Sequence, residues 1–137
     1  SRLQKKRGIG VILGIGIDII EIERIKTALE RPAFARRVFT AAERDYCDGR
    51  GAQRLASYAA RFAGKEAVMK AFGTGLAAGR WQEIEILPND AGSPAARLAG
   101  RFADFARRRQ VTAVHLSLTH ARGYAAAQAV LWGGGAG

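Results

Sequence analysis

Asp18, Lys65, Glu66 and Lys70 are the residues of this chain whose types could act together on a charged substrate. Glu66 falls in "RFAGKEAVMKAFGTG", Arg61 to Gly75, whose apolar residues recur at helical spacing. At 100° per residue, Leu55, Ala59, Phe62, Glu66 and Met69 share one narrow face. A carboxylate is thereby expected among core residues, where an unpaired charge is costly unless something compensates it. The plainest compensation is an i,i+4 pair with Lys70, worth only about 0.3–0.5 kcal/mol if exposed. Asp18 ends a β-branched, glycine-punctuated run in which Gly14, Gly16 and Asp18 alternate with Ile15, Ile17 and Ile19. A face bared by glycines would let a bulky anionic ligand approach the backbone. Alternatively Asp18 caps the helix that follows. Two carboxylates with lysines nearby suit magnesium and a phosphate, because magnesium takes oxygen ligands and keeps several waters.

Other candidates carry weaker signals. Gly73-Thr74-Gly75 reads first as the C-cap of a helix, and the sequence contains no GxxxxGK[ST] phosphate loop. His115, Ser117 and Thr119 share one face of a strand and could present polar groups to a ligand, while His120 falls on the other. No Cys/His spacing suggests zinc, and either histidine reads equally well as structural. Cys47 has no activating neighbourhood that would make it a nucleophile. Arg24, Lys26, Arg31, Arg36, Arg37 and Arg44 cluster in the first third and suggest docking on an acidic partner. No aromatic residues interleave with them as in single-stranded nucleic-acid binders. Arg107 to Arg109 close a later helix, where cations complement its dipole.

The elements that must position these residues follow from pattern. A strand is expected over Ile9 to Ile19, then a helix with Ile22, Ile25 and Leu29 inward, interrupted by Pro32. "TAAE" has capping-box form and starts a short helix near Ala41 that stops before Gly49. A long helix fits Ala52 to Phe72. "WQEIEIL" alternates as a half-exposed strand, "PNDAGSP" turns, and "ARLAG" is a short strand. "RFADFARRR" is a helix with Phe102, Phe105 and Ala106 inward, and "VTAVHLSLTH" and "YAAAQAVLW" form a hairpin through Ala121-Arg122-Gly123. The sum is an α+β fold, a mostly antiparallel sheet with helices packed on it.

Composition bounds the rest. At 137 residues the chain reads as one domain over residues 9–132, with a basic extension at 1–8 and a flexible glycine-rich tail at 133–137. Its 22 Lys+Arg against 12 Asp+Glu give a net charge of +10, which attracts polyanions or acidic proteins. A single cysteine permits no intrachain disulfide and fits a reducing compartment. The basic, then apolar, N-terminal stretch is broken by Gly10, Gly14 and Gly16 and ends at Asp18 without a cleavage site. Neither a signal peptide nor a membrane span is expected, and the chain reads as cytoplasmic.

Several stretches together resemble the holo-[acyl-carrier-protein] synthases, the small 4′-phosphopantetheinyl transferases. They are "GIGIDIIEIERI", "RVFTAAE", "RFAGKEAVMKAFGTG", "IEIL", "GSP" and "HLSLTHARGYAAA", in that order, spanning nearly everything between Ile12 and Leu131. The resemblance implies a 4′-phosphopantetheinyl transferase-like fold. It also implies Mg²⁺-dependent movement of the phosphopantetheine arm of coenzyme A onto a serine of an apo acyl carrier protein, releasing adenosine 3′,5′-bisphosphate. By motif position, Asp18 and Glu66 resemble the magnesium ligands, and Lys70, with Lys65 nearby, the basic residues at the coenzyme A diphosphate. Gly73, Thr74 and Gly75, with His115, Ser117 and Thr119, resemble parts of the coenzyme A pocket. Arg24 and its helix resemble the surface that receives the acidic carrier protein, to which Arg31, Arg36 and Arg37 are added. Family members are similar in being homotrimers with sites between subunits. Gly64 stands where alanine is common in the family, and Ala121 where an acidic residue often follows the histidine. Two other readings remain: a non-enzymatic basic module that binds RNA or acidic protein, and a magnesium-dependent nucleotide pyrophosphatase.

Overall fold

The computed structural model describes residues 9–134; the expected extension at 1–8 and the end of the expected tail, 135–137, lie outside them. The chain runs β1 (Val11–Glu21), α1 (Ile22–Leu29), α2 (Pro32–Val38), α3 (Ala41–Asp48), α4 (Arg54–Phe72), β2 (Ile84–Pro88), β3 (Pro94–Leu98), α5 (Gly100–Arg108), β4 (Val111–Ala121) and β5 (Tyr124–Gly133). Short 3₁₀ turns at Gly51–Gln53, Gly75–Ala78 and Trp81–Glu83 join them. One sheet has the order β1-β5-β4 and the other pairs β2 with β3, all antiparallel. This is the α+β architecture that the alternating patterns predict.

Helix α4 is the axis of the molecule. It packs on β1 and β5 with Ala63, Ala67, Val68 and Met69 buried, while β2 and α5 add Ile84, Ile86 and Phe102 to the same core. A second core lies where Ile25, Val38, Phe39 and Cys47 from α1 to α3 meet Tyr58 and Ala59. The expected capping box is present: the Thr40 hydroxyl accepts from Glu43 N at 3.1 Å, and Thr40 N donates to Glu43 Oε1 at 2.9 Å. Pro32 does end α1, but it also opens α2, where a missing N–H costs nothing at the first helical position. The first two residues of the expected tail, Gly133 and Gly134, are ordered. Gly133 closes β5, and Gly134 N donates to Gln110 O at 2.8 Å.

The most consequential departure concerns the stripe on α4. Of the five residues on the expected stripe, Ala59 and Met69 are buried, but Leu55, Phe62 and Glu66 are only half-buried. With Lys70 exposed, the seam that carries Glu66 opens to the surface. The remaining faces between Ala56 and Phe72 are buried. Alanines and Gly64 alternate there with Tyr58, Val68 and Phe72 and with the buried polar Arg61 and Lys65, a mixture that wraps the helix and blurs a single apolar period.

Candidate active site

Asp18 and Glu66 are neighbours because two glycines let a strand touch a helix. A Cβ added to Gly14 would stand 2.1 Å from Ala71 O, and one added to Gly16 would stand 2.0 Å from Ala67 O. The face bared by glycine therefore receives α4 and not a ligand, which corrects the expectation drawn from the alternation. Asp18, the next residue on that face, is delivered to the helix seam that carries Glu66 and Lys70. It does not cap α1, whose N-cap is Glu21 without a side-chain bond.

Lys70 Nζ donates to Asp18 Oδ1 at 2.9 Å and to Ile17 O at 3.1 Å. The lysine side chain is 53% exposed and the aspartate 15%, so this ion pair sits at a surface with one face open. The Glu66 carboxyl is pushed above its ordinary range, chiefly by burial and next by the negative charge of Asp18, with Lys70 opposing. Two carboxylates that repel each other beside an exposed ammonium form an anionic oxygen pair suited to a hard cation. Among the described residues no cluster of three or more His, Cys, Asp or Glu side chains surrounds such an ion. Two protein carboxylates with water and a phosphate completing the shell is the usual arrangement for magnesium. Lys70 also borders a cleft of about 400 Å³ with Ile15, Gly16, Ile17 and Gln128, room for part of a nucleotide-sized ligand.

Lys65 does not join the group. Its ammonium is fully buried on another side of α4, 2.8 Å from Glu43 Oε1, and it donates to Trp81 O at 3.0 Å and to Ile84 O. Burial lowers its pKa, opposed by the charge of Glu43. Its expected place at a diphosphate is therefore corrected: the neighbour of Glu66 in sequence points a third of a helical turn away. Glu43 is the residue the sequence reading missed. The capping-box pattern marked it, but that pattern does not distinguish a buried carboxylate from an exposed one.

Gly73 adopts the left-handed conformation (φ 76°) and closes α4: its N–H donates to Met69 O at 2.9 Å, and Thr74 N reaches the same oxygen at 3.3 Å. The glycine C-cap is thus what the geometry shows at this turn, and Gly75 follows with φ 54°. Thr74 lines a basic cleft of about 450 Å³ with Arg101 and Arg108. His115, Ser117 and Thr119 are exposed on the sheet face opposite to Asp18. The register pairs Ile17 with Gln128 and Gln128 with Ser117, so Ser117 faces the way Ile17 does. Ser117 and Thr119 border a second cleft with Ile17 and Gln128, beside the one that Lys70 lines, and within one chain they do not reach Asp18 or Glu66.

Arg24, Arg31, Arg36 and Arg37 are all exposed on α1, α2 and their junction. Arg36 and Arg37 border a cleft of about 430 Å³ with Leu76, Arg80 and Trp81, the last three unanticipated from sequence. Cys47 is buried, and burial pushes its thiol up to about 11, far from the thiolate a nucleophile requires. Among the described residues no helix is long and apolar enough to cross a membrane.

Comparison with known proteins agrees with the resemblance. Residues 14–129 match the family model described as the 4′-phosphopantetheinyl transferase superfamily. The chain is 47% identical over 120 residues to a holo-[acyl-carrier-protein] synthase of Ruminiclostridium cellulolyticum, covering 85% of this chain and 90% of that one. The holo-[acyl-carrier-protein] synthase of Neisseria meningitidis superposes with a TM-score of 0.81 at 30% identity, covering 88% and 98% of the two chains. The Bacillus anthracis synthase in complex with CoA (3′,5′-ADP) does so with a TM-score of 0.75 at 37% identity, covering 90% and 98%. With its strand–helix contact, its carboxylate pair and these matches along nearly its whole described length, the chain belongs to the holo-[acyl-carrier-protein] synthases of the 4′-phosphopantetheinyl transferase superfamily.

Proposed function

We propose that the chain transfers the 4′-phosphopantetheine group of coenzyme A to a serine hydroxyl of an apo acyl carrier protein, with Mg²⁺ as cofactor and adenosine 3′,5′-bisphosphate as the other product. The observation that carries the reading is the meeting of Asp18, Glu66 and Lys70 at one open edge. Asp18 and Glu66 are the residues that would hold the cation. When bound, it supplies positive charge to the diphosphate as the bridging bond breaks. Lys70, already fixed at 2.9 Å from Asp18, is placed to meet a second phosphate oxygen and stabilise the charge that develops there. The attacking hydroxyl belongs to the partner, so an inert Cys47 is no obstacle. The serine oxygen forms the new bond to phosphorus as the bond to the adenosine 3′,5′-bisphosphate leaving group breaks, and the serine proton leaves to a base at this edge.

The arms of the substrates are assigned by surface. Arg24, Arg31, Arg36 and Arg37 offer an acidic carrier protein four exposed guanidinium groups. Thr74 borders the basic cleft where the nucleotide end of coenzyme A would lie, and Gly73 and Gly75 form the turn that carries it. Ile15, Ile17 and Ile19 are 65%, 68% and 66% exposed in one row, a sheet face that a second copy of the chain would cover. A homotrimer built on that face brings His115, Ser117 and Thr119 of one copy to the coenzyme A of another. A free thiol suits a cytoplasmic location.

Incubation with coenzyme A, an apo carrier protein and Mg²⁺, followed by intact-mass spectrometry, tests the reading. The carrier gains the mass of a phosphopantetheine group. An unmodified carrier, or coenzyme A consumed equally fast without any carrier, contradicts it.

A further inference from the structure

Lys65 and Glu43 form the most deeply buried ion pair among the described residues, each side chain being 0% exposed. Every donor of the ammonium is used: on Glu43 Oε1, on Trp81 O and on Ile84 O. The carboxylate is equally occupied, accepting from Thr40 N at 2.9 Å on one oxygen and from Ile86 N at 2.7 Å on the other. One contact thus ties α3, the turn at Trp81–Glu83, β2 and α4 together. A buried pair of this kind adds little net stability over an apolar pair of the same volume, because both charges are removed from water. Stability alone does not account for it.

Its position on α4 does. Successive residues on a helix project about 100° apart, so the direction of Lys65 fixes the direction of Glu66. On another side, the Gly14 and Gly16 contacts set the distance of α4 from β1 but leave rotation about the helix axis to other groups. An ammonium bound to three oxygens, with Arg61 one turn earlier donating to Ile86 O at 3.0 Å, resists that rotation by directed bonds where the apolar side chains of α4 offer only packing.

We propose that Lys65 and Glu43 are a positioning pair: they fix the rotation of α4 and so aim the Glu66 carboxylate at the oxygen pair it forms with Asp18. The inference rests on the reading of Asp18 and Glu66 as ligands of one cation. With both side chains 0% exposed, neither Lys65 nor Glu43 is within reach of a substrate. Supporting partners behind a metal ligand typically change metal affinity by about 10- to 100-fold.

The test compares the full chain with Lys65→Met, Glu43→Gln and the double variant. Melting temperature, Mn²⁺ affinity by water-proton relaxation with coenzyme A present, and kcat are each measured. Either single variant leaves a buried charge unpaired and melts far lower. The double variant removes both charges but leaves Trp81 O and Ile84 O without a donor and an amide group facing Thr40 N or Ile86 N, so it melts below wild type and above either single variant. At temperatures where it is folded it binds Mn²⁺ about tenfold more weakly and loses kcat, while KM for the carrier protein is unchanged. A folded double variant that binds Mn²⁺ and turns over like wild type overturns the proposal and leaves the pair a purely structural one. Glu43→Asp, measured beside it, keeps the charge but withdraws it by one methylene. Weaker Mn²⁺ binding at a near-normal melting temperature supports the proposal, and unchanged binding overturns it. Glu66→Gln, measured alongside, separates the two claims. If it binds Mn²⁺ as wild type does, the cation site itself is wrong and the positioning role falls with it; if it loses Mn²⁺ while the double variant does not, only the positioning role falls.

Discussion

Gly16 and Ala67 touch backbone to backbone: a Cβ on Gly16 would stand 2.0 Å from the Ala67 carbonyl oxygen and 2.7 Å from Ala71 N. No side-chain rearrangement relieves such a contact, because the obstructing atoms are helix backbone. Gly16→Ala therefore forces β1 away from α4. The expected result is a stability loss of about 1–3 kcal/mol, with transfer activity falling further than in a variant equally destabilised elsewhere, since Asp18 moves with the strand. Denaturant melts and kinetics on Gly16→Ala, beside a core variant such as Val68→Ala, check this.

Glu66 pays for its position. Burial and the charge of Asp18 raise its pKa, so the folded chain holds that proton more tightly than the unfolded chain does. The sign follows: without a cation, its contribution to stability is present at low pH and lost as pH rises through the folded pKa. Glu66→Gln is accordingly expected to melt higher than wild type at neutral pH in metal-free buffer. Its transfer rate should be lower by about a hundredfold or more, the scale on which losing one charge-stabilising group acts. Calorimetry with and without chelator, and the mass assay, read both effects.

Glu83 behaves in the opposite sense. Burial works to raise its pKa, but backbone N–H groups of Arg80, Arg101 and Phe102 outweigh it and hold the carboxyl below its ordinary value. The Arg80 bond is 2.9 Å long, and the others come from the first turn of α5, whose N-cap Ala99 has no capping side chain. A depressed pKa gives stability that is full above the ordinary carboxylate range and lost as pH falls through the folded value. Glu83→Gln should cost about 1–2 kcal/mol at pH 7, the value of a good helix cap. The gap to wild type should close as the buffer is acidified below that range, which thermal melts against pH will show.

Arg24 is exposed on α1, next in sequence to the buried Ile25 but about 100° away around the helix. Reversing its charge leaves the Asp18–Lys70 edge untouched. Arg24→Glu is expected to raise KM for the carrier protein about tenfold, the effect of roughly 1.4 kcal/mol, and to leave KM for coenzyme A as it was. Added salt should shrink the difference, since the contact is exposed.

Much of this was legible in sequence because it depends on local signals. The Thr40–Glu43 capping box, Gly73 at the end of α4 and the alternation along β1 and β4 are each set within a few residues. The sides of α4 were not legible. Leu55, Phe62 and Met69 drew an apolar stripe through Glu66, whereas burial wraps most of the helix through many alanines, Gly64 and the buried polar Arg61 and Lys65, which a hydrophobic period barely registers. The same blind spot turned Gly14 and Gly16 into an approach for ligand when they are an approach for helix. Lys65 was drawn to the site by its neighbour Glu66. Only the fold shows that Glu43, 22 positions earlier in a different helix, holds it.

The most direct measurement is Mn²⁺ binding, by water-proton relaxation in the presence of coenzyme A, to wild type, Asp18→Asn and Glu66→Gln. Asp18 and Glu66 are expected to share one ion, so wild type should take up one Mn²⁺ per site and each variant should lose it. Both variants binding Mn²⁺ with the affinity of wild type would contradict the account.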